Sequence, residues 1–178
     1  MRQTKFELIP FVNKTAPQIQ ITGSIVRQQN FLKVKYQLSG NLSTIIIPSP
    51  TQVPSRKYDL WEHTCCELFL RLKNTTKYWE FNLSPTGDWN VFYFADYRHS
   101  ITEEMAIASL PFKVFQTSES LQIGLNIDLS KFMPAESALD VAITTVVENQ
   151  ARELSYWALS HPSSEADFHH QDSFTLCL

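Results

Sequence analysis

The sequence predicts an all-β protein of the sandwich or barrel kind. Three observations predict it. Short runs of alternating apolar and polar residues recur along the 178 residues, Pro, Gly, Asn and Ser break them, and helical periodicity is almost absent. In chain order, QIQITGSIV (18–26) alternates, QQN (28–30) reads as a hairpin loop, and FLKVKYQLSG (31–40) sorts Leu32, Val34, Tyr36 and Leu38 from Lys33, Lys35 and Gln37. SPTQVPSRKYD (49–59) reads as a long loop, a length that is uncommon unless the loop serves something. LQIGLNIDLS (121–130) alternates most cleanly, as a half-buried strand does. DVAITTVVEN (140–149) is apolar on both faces, as a central strand is, and ELSYWAL (153–159) and SFTLCL (173–178) close the chain. The one expected helix is SITEEMAIASL (100–110), with Thr102 as its cap and acids in its first turn. No repeat, low-complexity tract or linker interrupts the chain, so residues 1–178 read as a single domain.

Bulk properties narrow the function classes. Apolar residues make up 43% and charged residues 19%, which is ordinary globular composition. The net charge is −3, the pI is near 5.9, and no basic run occurs, which argues against nucleic acid and anionic membranes as partners. No segment approaches the ~20 apolar residues of a membrane helix. The N-terminal MRQTKFELIPF has no apolar stretch of signal-peptide length, so the expected location is cytoplasmic. The three cysteines, an odd number that includes the adjacent Cys65 and Cys66, read as reduced thiols acting as small hydrophobes.

The segment YDLWEHTCCELFLRLKNTTKYWEFNLSPTGDWNVFYF (58–94) carries three of the four tryptophans. CCELFLRL (65–72) and KYWEFNLS (77–84) read as a hairpin joined by KNTT. Setting Leu70 opposite Trp79, Leu68 opposite Phe81 and Cys66 opposite Leu83 gives one wholly apolar face, whereas a slip of one residue sets Leu70 against Glu80. The other face then collects Glu67, Phe69, Arg71, Tyr78, Glu80 and Asn82. SPTGD (84–88) is a turn. The following run, 89–98, is apolar on both faces, so its register, and with it whether Trp89 faces ligand or core, stays open. Two readings of the polar and aromatic strip compete: a solvated outer sheet face, or a ligand site in which flat rings cover the C–H face of a sugar while carboxylate and amide groups take its hydroxyls.

The run from Trp61 through Glu67 to Tyr78–Trp79–Glu80–Phe81–Asn82–Leu83–Ser84–Pro85–Thr86–Gly87 resembles the DOMON-like superfamily that includes the family-nine carbohydrate-binding modules. The closing LSYWALSHPSSEADFHHQDSFTLCL is similar to the last strands of that family. The resemblance spans roughly residues 20 to 178 and implies a two-sheet antiparallel β-sandwich of jelly-roll type, with at most one short helix and a ligand on the concave face or loop ends. In sugar-binding members two tryptophans sandwich a sugar, helped by Glu, Arg and Asn. The resemblance casts Trp61 as the first tryptophan with Glu67 as its acid, and Trp157 as the second. It takes the guanidinium from Arg98 or Arg71, and further polar contacts from Glu148 and Asn149. The expected ligand-binding set is therefore Trp61, Glu67, Glu80, Asn82, Trp89, Arg98 and Trp157, with no catalytic residue, no metal and no cofactor.

Other constellations lead elsewhere. Glu67 and Glu80 raise the question of a glycosidase pair, but no other feature points to hydrolysis. His63 beside Cys65 and Cys66 lacks an orienting partner for a thiol nucleophile. The tail HPSSEADFHHQD (161–172) reads as a solvated loop. A haem or metal reading of the DOMON kind finds only Met1, Met105 and Met133 and the late histidines. The expected function is a non-catalytic binding module for a carbohydrate or similar small polar ligand. The alternative is a protein-interaction or structural domain whose aromatic strip a partner or a second copy covers.

Overall fold

The computed structural model describes residues 3–11, 16–134 and 137–178, so Met1 lies outside the described residues. Among the described residues twelve antiparallel strands form: β1 (Thr4–Pro10), β2 (Ile19–Gln28), β3 (Phe31–Gly40), β4 (Cys65–Leu72), β5 (Tyr78–Leu83), β6 (Trp89–Phe94), β7 (Thr102–Glu103), β8 (Phe112–Gln116), β9 (Ser120–Asp128), β10 (Leu139–Glu148), β11 (Leu154–Ala158) and β12 (Leu176–Cys177). The only helical pieces among the described residues are short 3-10 turns, including one at Leu60–Glu62. The chain is therefore all-β, as its alternating runs require.

The expectation of two separate sheets needs restating. The strands form one continuous path, β7-β6-β5-β4-β10-β11-β1-β2-β3-β9-β8, with β12 beside β10. A short β1–β11 pairing, Ile9 with Ala158 and Pro10 with Trp157, joins the halves. The path curls so that its halves face each other. Leu32, Val34 and Leu38 of β3 share one apolar core with Leu68, Leu70 and Phe81 of β4 and β5. Tyr36 crosses that core, donating its hydroxyl to the Glu67 carbonyl at 2.8 Å.

The β4–β5 hairpin has the register that apolar matching dictates: Leu70 opposite Trp79, Leu68 opposite Phe81 and Cys66 opposite Leu83. Gly87, at φ +90°, closes the SPTGD turn, and its N–H reaches Ser84 O at 3.0 Å. Pairing of Leu83 with Trp89 sets the open register of β6, placing Trp89 and Val91 on the core face and Asn90, Phe92 and Phe94 on the other. The long loop serves this turn. Asp88 accepts from Ser55 N at 2.9 Å and pairs with Lys57 at 2.8 Å. Arg56 lies over the Trp89 ring, 4.4 Å from its centroid, and donates to Asn90 Oδ1 and to the Glu104 and Ile107 carbonyls.

The expected helix at 100–110 does not form. Thr102–Glu103 instead pairs with the free edge of β6, where backbone partners are available to a segment too short to be a stable isolated helix. The acids expected in its first turn find other work. Glu103 accepts from Asn90 Nδ2 at 3.0 Å and Glu104 from Trp79 Nε1 at 2.9 Å, while Ile107 and Leu110 enter the core. Strand β8 closes one end of the path, and β1, likewise unmarked by clean alternation, lies at its middle between β11 and β2.

Candidate functional site

The face of β4, β5, β6, β10 and β11 that turns away from the main core holds the site. Its aromatic members, Phe69, Tyr78, Phe92 and Phe94, form a second apolar cluster with Ala142, Val146, Phe168 and Phe174. The tail at 161–172, expected to be solvated, crosses this face instead. Phe168 enters the second cluster, as does Phe174 just beyond the tail, and His169 packs against Phe69, Tyr78 and Phe94. The apolar pair that flanks FHHQDSF gives the reason: the sheet face is too aromatic to stand in water.

Where the tail leaves the sheet uncovered, a pocket of about 340 Å³ opens. Strands β4, β5 and β10 supply Glu67, Glu80 and Val146, and β11 supplies Leu154 and Tyr156. The turn at Leu60–Glu62 supplies Trp61, the tail supplies Ala166, Phe168 and His169, and Arg98 stands beyond β6. Trp61 is half-buried, its ring edge-on to Phe92 at 5.8 Å. Tyr156 lies edge-on to Phe168 at 5.9 Å. Aromatic rings thus stand beside carboxyl groups in a space of small-ligand size.

The carboxyls are deeply placed, with Glu67 2% and Glu80 6% exposed. Burial drives the Glu80 carboxyl up to about 7, against the opposing hydrogen bond from Asn82. Burial, reinforced by the charge of Glu80, drives Glu67 well above the ordinary carboxylate range. Glu67 Oε2 accepts from Thr144 Oγ1 at 3.1 Å, and Glu80 Oε1 accepts from Asn82 Nδ2 at 2.8 Å. Among the described residues the second oxygen of each carboxyl has no hydrogen-bond partner; Glu80 Oε2 lies 3.7 Å from His169 Nε2, beyond bonding distance.

A chain of hydrogen bonds fixes the rim. The Arg98 N–H donates to the Tyr78 hydroxyl at 3.1 Å, and that hydroxyl is hydrogen-bonded to His169 Nδ1 at 2.8 Å. The His169 Nε2 side of the ring faces Glu80. Burial, with Arg98 nearby, lowers the imidazole to about 4, so the ring is neutral at pH 7. The Arg98 guanidinium is held by Asp167 at 2.8 Å, and Tyr97 donates to the other Asp167 oxygen at 2.7 Å. Burial alone would raise Asp167; these two donors outweigh it and hold the carboxyl below its ordinary value.

Of the residues singled out in the sequence, Trp61, Glu67, Glu80 and Arg98 line this one pocket. Asn82 lies beneath it, fully buried, positioning Glu80. The two other tryptophans do not reach it. Trp89 is on the core face under Arg56. Trp157 alternates with Tyr156 along β11, so it points into the main core, 4% exposed, with its indole N–H on Ser155 Oγ at 3.0 Å. The ring that β11 does present is Tyr156. Arg71 is engaged elsewhere, over Phe174 and against Asp140 at 3.1 Å. Glu148 is held below its ordinary value despite burial by Arg152 and His63, each at 2.9 Å. Tyr156, Phe168 and His169 were missed by sequence reasoning. The alternation of ELSYWAL about Trp157 was the available signal for Tyr156.

The thiols and the methionines lie apart from this chemistry. Burial pushes the Cys66 thiol up to about 12 and Cys65 well above its ordinary value, which suits inert packing rather than attack. Met133 is in the core and Met105 is on the surface. Among the described residues no three His, Cys, Asp or Glu side chains gather as a metal site.

No family model matches this chain, and no curated protein matches it in sequence. In structure it is similar to a candidate carbohydrate-binding protein from Bacteroides uniformis, with a TM-score of 0.68 and 13% identity over 96% of this chain and 84% of the other. It is also similar to a family-nine carbohydrate-binding module from Caldicellulosiruptor kristjanssonii. The glucose complex of that module gives a TM-score of 0.51 and 13% identity over 89% of this chain and 75% of the other. Its cellotriose complex gives the same TM-score and identity, with 74% of the module covered. At this identity the likeness establishes a shared all-β fold.

Proposed function

We propose that this protein is a non-catalytic carbohydrate-binding domain, a relative of the DOMON-like and family-nine modules, and that its ligand occupies the pocket of Trp61, Glu67, Glu80, Arg98 and Tyr156. The observation that carries the reading is the convergence of a half-exposed Trp61 and Tyr156 on two buried carboxyls with free oxygens, in a volume of about 340 Å³. Pockets of this size hold small ligands, with apolar walls and a few placed polar groups fixing orientation. A sugar presents an apolar C–H face to a ring and hydroxyls to carboxyl and guanidinium groups. Structural neighbours include a module bound to glucose and to cellotriose, which makes these the first ligands to try.

Binding suits the site better than hydrolysis. A glycosidase pair needs one carboxylate ionised to act as nucleophile or base. Burial raises Glu67 well above the carboxylate range and Glu80 to about 7, and no feature of the site beyond this pair points to hydrolysis. The test is a glycan-array screen of the protein beside Trp61→Ala, with glucose and cello-oligosaccharides included. Signal on the wild type that the variant loses supports the reading. An array blank for both, or binding indifferent to Trp61, overturns it.

A further inference from the structure

A second concavity lies on the opposite half of the molecule, on the outer face of β1, β2, β3, β9 and β8. It is a groove of about 950 Å³ and shares no residue with the Trp61 pocket. The pairing registers place Lys5, Ser24, Lys35, Gly124 and Lys113 in one row across these five strands. Lys33 extends the patch on β3, and Gln37, Gln122 and Asn126 flank it with amides. All four lysines are exposed, and none makes an ion pair among the described residues. Among the described residues Glu7 is the one acid lining the groove, in a chain whose net charge is −3. Positive charge is therefore concentrated here against the overall sign, and a concave wall focuses its field.

Gly124 matters to the shape. A Cβ there would meet only the Lys35 stem, at 3.9 Å, and otherwise open space. The groove floor between Lys35 and Lys113 is thus kept clear without any backbone need for glycine. Within the row the lysines sit on alternate strands, so their backbones are spaced by about 9.5 Å. That is the length of two linked pyranose rings.

We propose that this groove binds a linear acidic oligosaccharide with carboxylates on alternate sugars, the lysine row taking the carboxylates and the amides taking the hydroxyls between them. The assignment stands independently of the Trp61 pocket. Only one exposed aromatic, Phe115, lines the groove, which disfavours the stacked bases of single-stranded nucleic acid.

The test is calorimetric titration with a hyaluronan octasaccharide, a neutral chitin oligosaccharide of equal length, and single-stranded DNA, at low and high salt. Hyaluronan should bind and the neutral chain should not, with affinity falling at high salt as exposed charges are screened. Lys35→Ala combined with Lys113→Ala should weaken binding at least tenfold. So should Gly124→Glu, which sets an acid in the groove at a surface position where folding, checked by thermal melting, is unaffected. Trp61→Ala should leave this affinity unchanged. Absence of hyaluronan binding at low salt, equal binding by DNA, or binding that survives Gly124→Glu would each overturn the proposal.

Discussion

Trp61 is the residue on which recognition in the pocket turns. It is a large flat ring, half-buried against Phe92 and therefore already ordered before ligand arrives. Trp61→Ala should weaken glycan affinity by on the order of 1–3 kcal/mol and leave the thermal midpoint within a degree or two, because the ring is peripheral to both apolar clusters. Glu80 and His169 make a second test at this scale, since they shift in opposite directions. Glu80 is raised from 4.5 to about 7, so the native state holds the extra proton and this contribution to stability is lost as pH rises across that window. Glu67, raised for the same reason, adds in the same sense. His169 is lowered from 6.5 to about 4, so the unfolded state holds the extra proton and stability is lost as pH falls across its window. Between 4.5 and 6.5 the two effects oppose each other. Urea midpoints over this range should therefore fall with rising pH more steeply than wild type in His169→Gln, and less steeply than wild type in Glu80→Gln, where Glu67 and His169 are left to oppose each other. A profile unchanged from wild type in both variants would mean that neither group is shifted by burial.

At the scale of elements, the β4–β5 hairpin was legible because its two faces differ: apolar matching of Leu68 with Phe81 and Leu70 with Trp79 admits one register. That register carried Glu67, Glu80 and Asn82 to one face. Strand β6 and the segment around Trp157 were not legible in the same way. Residues 89–94 are buried on both faces, so alternation cannot assign Trp89, and tryptophan at 157 drew attention from its neighbour Tyr156. The tail misled for a different reason. His and acid residues dominate it, while Phe168 within it and Phe174 just beyond it are the anchors. Phe168→Ala should cost about 3–5 kcal/mol by leaving a cavity over Val146 and Tyr156, and should abolish glycan binding because the tail also forms the pocket wall. Denaturation and binding measured together check this; a loss of stability with full binding would mean the pocket does not need the tail. The long loop gives a parallel case. Arg56→Ala removes the cover from Trp89 and leaves the Ile107 carbonyl without its guanidinium donor, a loss of about 2–3 kcal/mol by chemical denaturation with ligand affinity unchanged.

For the molecule as a whole, one curled sheet offers two outward faces of unlike character. The half built from β4, β5, β6, β10 and β11 is aromatic outside, roofed by its own tail, and leaves a small pocket with buried acids. The half built from β1, β2, β3, β9 and β8 is polar outside and carries the lysine row. Neither the all-β class nor the alternation needed the structure to be seen, but the closure of the path through β1 and β11 did, since it rests on two residue pairs at the end of an unremarked strand. The central claim is that ligand enters at Trp61. Three of the four tryptophans are fixed in the core, two of them by indole hydrogen bonds to Glu104 and Ser155 and one beneath Arg56. The indole region of a ¹H–¹⁵N spectrum therefore separates the site from the scaffold. During titration with the oligosaccharide that the array selects, the Trp61 resonance should move while those of Trp79, Trp89 and Trp157 stay. A bound ligand that leaves Trp61 still would contradict the account.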